Sequence, residues 1–234
     1  MIMISKTNIG RAVIKKLLIM TALFFGFSCG NKSISCFNDK CLYLPASNVF
    51  YNAVFIEGNK DSTFYEIQMI TTKSNFLFQN KLKYIVERIP NLTYPEKFLS
   101  ESTTGFIETQ ERIWLHPPRT AQFKFITQLA PYPEVLLPIN IGDSISGKIN
   151  MLGNWGDWSG KSSEFYLNVV KDSTLTINER TDTVYILNGC GKILTEISCV
   201  NYLFSFTYGF IYAYYTNNNG QRFIMKRKDI IFDI

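Results

Sequence analysis

The stretch "FSFTYGFIYAYYTNNNGQ", residues 204–221, decides the fold. Phe204, Phe206, Tyr208, Phe210, Tyr212 and Tyr214 share one parity. Side chains alternate with period two along a strand, so an unbroken strand would set six rings on one face. Gly209 interrupts the run at a place suited to a bend or bulge, as where a sheet curls. Asn219-Gly220 then supplies a turn, and Arg222 to Phe232 returns as the next strand.

The same alternation recurs upstream. In "FYEIQMIT", residues 64–71, Tyr65, Ile67 and Met69 take one face while Glu66 and Gln68 take the other. Phe106 to Leu115 reads as a strand stopped by Pro117-Pro118, and further strands are expected over 165–170, 174–177 and 184–187. No stretch after residue 30 keeps a helical apolar period for three turns. "PEKFLSE", with Pro95 at a first helical position, is the best candidate for a short helix. The expectation is an all-β domain over residues 36–234: a single, strongly curved antiparallel sheet, closed or nearly closed like a barrel, with little helix.

The N-terminus carries an address. In "KKLLIMTALFFGFSCGNKS", residues 15–33, Lys15 and Lys16 follow Lys6 and Arg11 as a charged head. Leu17 to Phe27 is an apolar core too short for the roughly 20 residues of a spanning helix. Phe27-Ser28-Cys29 resembles the relaxed lipobox of Bacteroidota-type lipoproteins. That resemblance implies a signal peptide over 1–28, acylation of Cys29, and a short tether over 29–35. Two or three acyl chains anchor stably, at about 0.8 kcal/mol per buried CH₂. Gly30 stands where an inner-membrane retention signal would place Asp, so outer-membrane residence is expected. Four of the 24 basic residues lie in 1–28, leaving 20 against 19 acidic ones. Such a balance excludes a nucleic-acid partner that needs a basic stripe. "KRK", Lys226 to Lys228, reads instead as a solvated edge that discourages pairing.

With Cys29 acylated, Cys36, Cys41, Cys190 and Cys199 remain, an even number that favours disulfides in an exported chain. The local pairs 36–41 and 190–199 are preferred among three pairings. Neither spacing is that of a zinc site, and the chain has one histidine, so no metal or cofactor is expected.

Catalytic patterns are sparse. Gly142-Asp143-Ser144 is similar to the block of one lipase class, but that chemistry needs a downstream histidine, and His116 lies upstream. A turn before a strand explains these residues better. Glu108 and Glu111 differ in parity and would not face one cleft. In "WLHPPR", 114–119, Trp114 and His116 share a face; the larger indole favours that face as core, with Arg119 holding a carboxylate. Two motifs suggest binding. Trp155, Asp157 and Trp158 in "NWGDWSG" could stack a sugar, and Phe206, Tyr208, Phe210 and Tyr212 could line a cavity for an apolar ligand.

"ERIWLHPPR", "LAPYPEV", "NWGDWSG" and "YGFIYAYYTNNNG" together resemble a group of uncharacterised Bacteroidota lipoproteins, over roughly residues 100–228. The group has a Trp-x-His-Pro-Pro-Arg block and a closing Tyr-Gly-Phe strand, and the resemblance implies no reaction. The expected role is a lipid-anchored, non-enzymatic binding or assembly module of the cell envelope, for an apolar or glycan ligand. The alternative is a carboxylate-dependent glycan hydrolase. Labelled palmitate should enter the wild-type protein and not Cys29→Ala. A mature N-terminus mapped anywhere but residue 29 would overturn the anchor.

Overall fold

The structure, a computed structural model, describes residues 41–44, 46–58, 62–76 and 79–231. The signal, the tether, Cys29, Cys36 and Phe232 lie outside the described residues. Twelve strands form one antiparallel sheet: β1 (Ala46–Glu57), β2 (Ser62–Phe76), β3 (Gln79–Ile89), β4 (Phe98–Glu108), β5 (Arg112–Leu115), β6 (Glu134–Leu136), β7 (Ser144–Asn150), β8 (Ser162–Ile177), β9 (Arg180–Ile193), β10 (Glu196–Ser205), β11 (Gly209–Asn217) and β12 (Gln221–Arg227). The spatial order is β6-β5-β4-β3-β2-β1-β12-β11-β10-β9-β8-β7. Two meanders therefore meet where the first strand pairs with the last, and the sheet curls into a half-barrel.

Alternation fixes the concave face. Tyr65, Ile67 and Met69 on β2, Leu82, Tyr84 and Val86 on β3, and Val200, Tyr202 and Phe204 on β10 are all buried. The 204–214 run does not form one strand. It turns at 206–208, and Gly209, with φ at +76°, opens β11 in a conformation that L side chains rarely adopt. A Cβ there would overlap the Tyr43 hydroxyl, which accepts the Phe210 N–H at 2.9 Å. Phe204 pairs with Phe210, while Leu203 pairs with Tyr212, so Ile211 is the extra residue of a bulge. The parity consequently changes: Phe210, Ala213 and Tyr215 join the main core, while half-buried Tyr212 packs on the smaller cluster around Ile211 and Ile230. The expected Asn219-Gly220 turn forms, with Gly220 at φ +75° donating to the Asn217 carbonyl.

Other expectations need correction. Phe106 to Leu115 is a hairpin between β4 and β5, not one strand. "PEKFLSE" leads into β4 instead of forming a helix, because Phe98 to Ser100 pair with Val86 to Arg88. Lys226 to Lys228 close a central strand, not an edge. There Arg227 pairs with Asp229 and donates to the Tyr208 carbonyl, and Lys228 pairs with Glu66. The edges are β6, three residues long, and β7, which carries an exposed lysine, and both features limit pairing with other chains.

The helix lies in an unexpected place. Between β5 and β6, residues 116–133 enter the concave face and form α1 (Lys124–Leu129). Pro131 ends it by forcing Ala130 to an extended ψ of 153°. Phe123 is fully buried, stacked on Phe223 at 4.1 Å and edge-on to Tyr65 at 5.3 Å. Sheet side chains hold the segment through polar groups. Tyr84 donates to the His116 carbonyl, Tyr202 to the Pro131 carbonyl and Ser198 to the Ile126 carbonyl, each at 2.7 Å. Gly191 lets the segment approach β9, since a Cβ there would overlap the Leu129 carbonyl oxygen. The Cys190–Cys199 disulfide expected from sequence joins β9 to β10 beside this contact. Cys41 is disulfide-bonded as well, and its expected partner, Cys36, lies outside the described residues.

Phe123→Ala should cost roughly 3–5 kcal/mol in urea unfolding, since it empties a buried aromatic site. Trp114→Ala should cost less. An equal loss for the two would contradict this account of the core.

Candidate functional site

β5 positions the first wall of a cleft. Ile113 and Leu115 are buried toward the core, which corrects the expectation that the Trp114 face is the buried one. Arg112, Trp114 and His116 follow the opposite parity and line a cleft of about 530 Å³. Core packing chooses the Leu115 face because Leu115 pairs with buried Phe106 and Ile113 with buried Val135. The second wall comes from Lys148, Ile149 and Asn150 of β7 and Phe165 of β8. Curling thus brings residues of both sheet edges to one opening. Arg119, Gln128 and Tyr132 of the inserted segment also line it.

The interior of this cleft is aromatic and polar. His116 lies 4.7 Å from Trp114 and 4.8 Å from Tyr132, ring centre to ring centre. Arg112 pairs with Glu134 at 2.6 Å and lies 5.9 Å from the Trp114 ring. Glu134 is 5% exposed; burial pushes its pKa up, and Arg112 opposes the rise. Burial, assisted by the Arg119 guanidinium, pushes His116 down to about 3. The imidazole is therefore neutral at physiological pH, and its Nδ1 is buried without a hydrogen-bond partner. Arg119 does not hold a carboxylate as expected. It donates to Gln128 Oε1 and Thr104 Oγ1, both at 3.2 Å.

A second cleft, about 340 Å³, adjoins the first through Trp155, which lines both. Trp155, Asp157 and Trp158 all line it, so the structure brings this trio together. One 3₁₀ turn, Gly156–Trp158, presents them. The indoles also pack beside Leu129, Met151 and Ile193, and Phe125 stands edge-on to them at 6.0 and 5.2 Å. Trp155 Nε1 donates to the Leu152 carbonyl at 2.9 Å, which fixes that ring. Glu196, Asn217, Asn219 and Gln221 provide the polar wall, with Asn219 donating to Glu196 at 3.0 Å.

The other aromatic candidates are dispersed. Phe210 and Tyr212 border a void of only about 30 Å³, roughly the volume of one water. Phe206 packs on Phe204 and Tyr185, and Tyr208 lies 5.9 Å from the Arg227 guanidinium. Glu108 is buried and accepts the Leu42 and Tyr43 N–H groups at 2.6 and 3.0 Å, while Glu111 is exposed in the following turn. Asp143 closes the Asn140–Asp143 turn before β7, accepting the Asn140 N–H at 2.8 Å. Among the described residues, no group of three His, Cys, Asp or Glu side chains could hold a metal ion, and no helix is long and apolar enough to cross a membrane.

No family model matches the chain, and no curated protein matches it. Solved structures that align with it include a candidate exported protein with a YmcC-like fold from Bacteroides fragilis, at 8% identity and a TM-score of 0.36, covering 80% of this chain and 95% of that one. Another is the hypothetical lipoprotein YmcC from Escherichia coli, at 10% identity and a TM-score of 0.34, covering 96% of this chain and 97% of that one.

The neutral imidazole has a measurable consequence. Between about pH 3 and the ordinary 6.5, the unfolded chain binds a proton that folded His116 refuses. His116 therefore lowers stability as pH falls through that window and has no such effect above it. The stability difference between His116→Gln and wild type should be constant above pH ~7 and move in the variant's favour toward pH ~4. A difference independent of pH would contradict the buried, neutral ring.

Proposed function

We propose that this chain is a lipid-anchored cell-envelope lipoprotein that works as a non-enzymatic binding module and takes a glycan in its two adjoining clefts. The observation that carries the reading is the placement of tryptophan. All three in the chain, Trp114, Trp155 and Trp158, line these clefts, while the sheet interior is filled by the chain's own 116–133 segment. A sugar ring has an apolar C–H face that packs on an indole and a rim of hydroxyls that needs donors and acceptors. Asn217, Asn219 and Gln221 in one cleft, and Gln79, Gln128 and Asn150 in the other, supply such a rim. An acyl chain would need an apolar cavity of a few hundred Å³, whereas the void that Phe210 and Tyr212 border among the described residues holds about 30 Å³. Glycan is therefore favoured over an apolar ligand. The anchor rests on the Lys15–Cys29 segment and the outer-membrane address on Gly30.

The hydrolase alternative has one observation in its favour, since Asp157 and Glu196 line the same cleft. Glycan-array binding followed by calorimetry tests both readings. Trp155→Ala should weaken binding about tenfold or more, measured on protein whose melting curve shows it folded at the assay temperature. The absence of any glycan binding by folded protein would overturn the proposal. Release of new reducing ends, abolished by Asp157→Asn, would establish the hydrolase instead.

A further inference from the structure

We infer that the larger cleft recognises a carboxylate-bearing sugar, with Arg119 as the group that receives the carboxylate. This inference rests on the glycan reading and adds the ligand's chemical class. Four charged side chains line the cleft: Arg112, Arg119, Lys148 and Glu134. Arg112 and Glu134 neutralise each other at 2.6 Å. Lys148 pairs with Glu164 at 3.0 Å on the open surface. Arg119 is different. Gln128 and Thr104, which accept its hydrogen bonds, and Tyr132 beside it are neutral, and among the described residues no carboxylate pairs with it.

A half-buried guanidinium has lost part of its hydration, and neutral acceptors restore only some of that loss. The group that best completes it is an anion. Its remaining N–H groups form a planar fork that matches a carboxylate in two parallel hydrogen bonds. A dianionic phosphate would favour a second cation beside Arg119; among the described residues Arg112 is held by buried Glu134, the half-buried His116 ring is neutral, and Lys148 stands on the open surface in an exposed pair. Tyr132 lies beside the same guanidinium, and Trp114 lies 5.9 Å from Tyr132. A carboxylate on Arg119 would thus place its sugar ring against these two aromatic faces. The smaller cleft carries the opposite charge, through Asp157 and Glu196, so acidic residues of a chain are directed to the first cleft and neutral ones to the second.

The test uses full-length, detergent-solubilised protein and matched probes: oligosaccharides of galacturonate, hyaluronan and alginate, each beside its carboxyl-reduced form, with glucose 6-phosphate as a phosphate control. At least one acidic form should bind, and carboxyl reduction should weaken it about tenfold or more. That preference should fall at high salt and vanish in Arg119→Gln, while Arg119→Lys, which keeps charge without the fork, should retain part of it. Because Arg119 also bonds Gln128 and Thr104, melting temperatures accompany both variants, and Arg119→Lys alone decides if the Gln variant unfolds. Equal binding of acidic and reduced forms, still lost in Trp155→Ala, would overturn the carboxylate inference and leave the glycan reading intact. Binding of glucose 6-phosphate in preference to every carboxylate would also overturn it. No binding of any sugar would overturn both.

Discussion

Everything in this fold depends on the hydrogen bonds from the concave face to the inserted segment. A curled sheet with one rich apolar face must cover that face, and this chain covers it with its own residues 116–133. The cover brings backbone carbonyls into a buried place, where an unpaired one would cost about 1–3 kcal/mol. Tyr84, Tyr202 and Ser198 meet those carbonyls from the sheet side. Burial holds the Tyr84 and Tyr202 phenols well above their usual pKa, so they stay protonated donors. The large aromatic content of the chain is explained here: tyrosine fills the concave volume and also carries a donor to the far end of its ring.

The fold class was legible because alternation is a local signal. Tyr65, Ile67 and Met69 announced their face within six residues, and the structure buries all three. The 204–214 run departs from its period for a reason that is also physical. Period two continues across a tight turn only by accident, and sequence parity cannot show that Phe206 to Tyr208 leave the strand. The helix was invisible because α1 has six residues, too few for a period, and it forms where Phe123 and Leu129 find partners distant in sequence.

The site was legible in halves. Trp155, Asp157 and Trp158 sit within four residues and could be named together. The larger cleft could not, because its walls come from β3 to β8 and the inserted segment, brought together by sheet curvature. One signal was present: Arg112, Trp114 and His116 share parity in "RIWLH". Choosing which parity is buried required knowing that Leu115 meets Phe106. The charge of Arg119 is plain in the sequence, but its acceptors are the neutral Gln128 and Thr104. Which acceptors surround a guanidinium depends on residues such as Thr104 that sequence alone does not bring near.

The pairing of the first strand with the last affects how the molecule is made. β1 finds its second neighbour only in β12, with Tyr51 opposite Arg227. Until β12 docks, the first meander has one side of β1 open. The inserted segment, too, waits for β10 before Tyr202 and Ser198 can receive it. Contacts this distant in sequence slow folding and leave hydrophobic strands exposed meanwhile. Loss of β12 itself would leave both halves of the sheet without the strand that joins them.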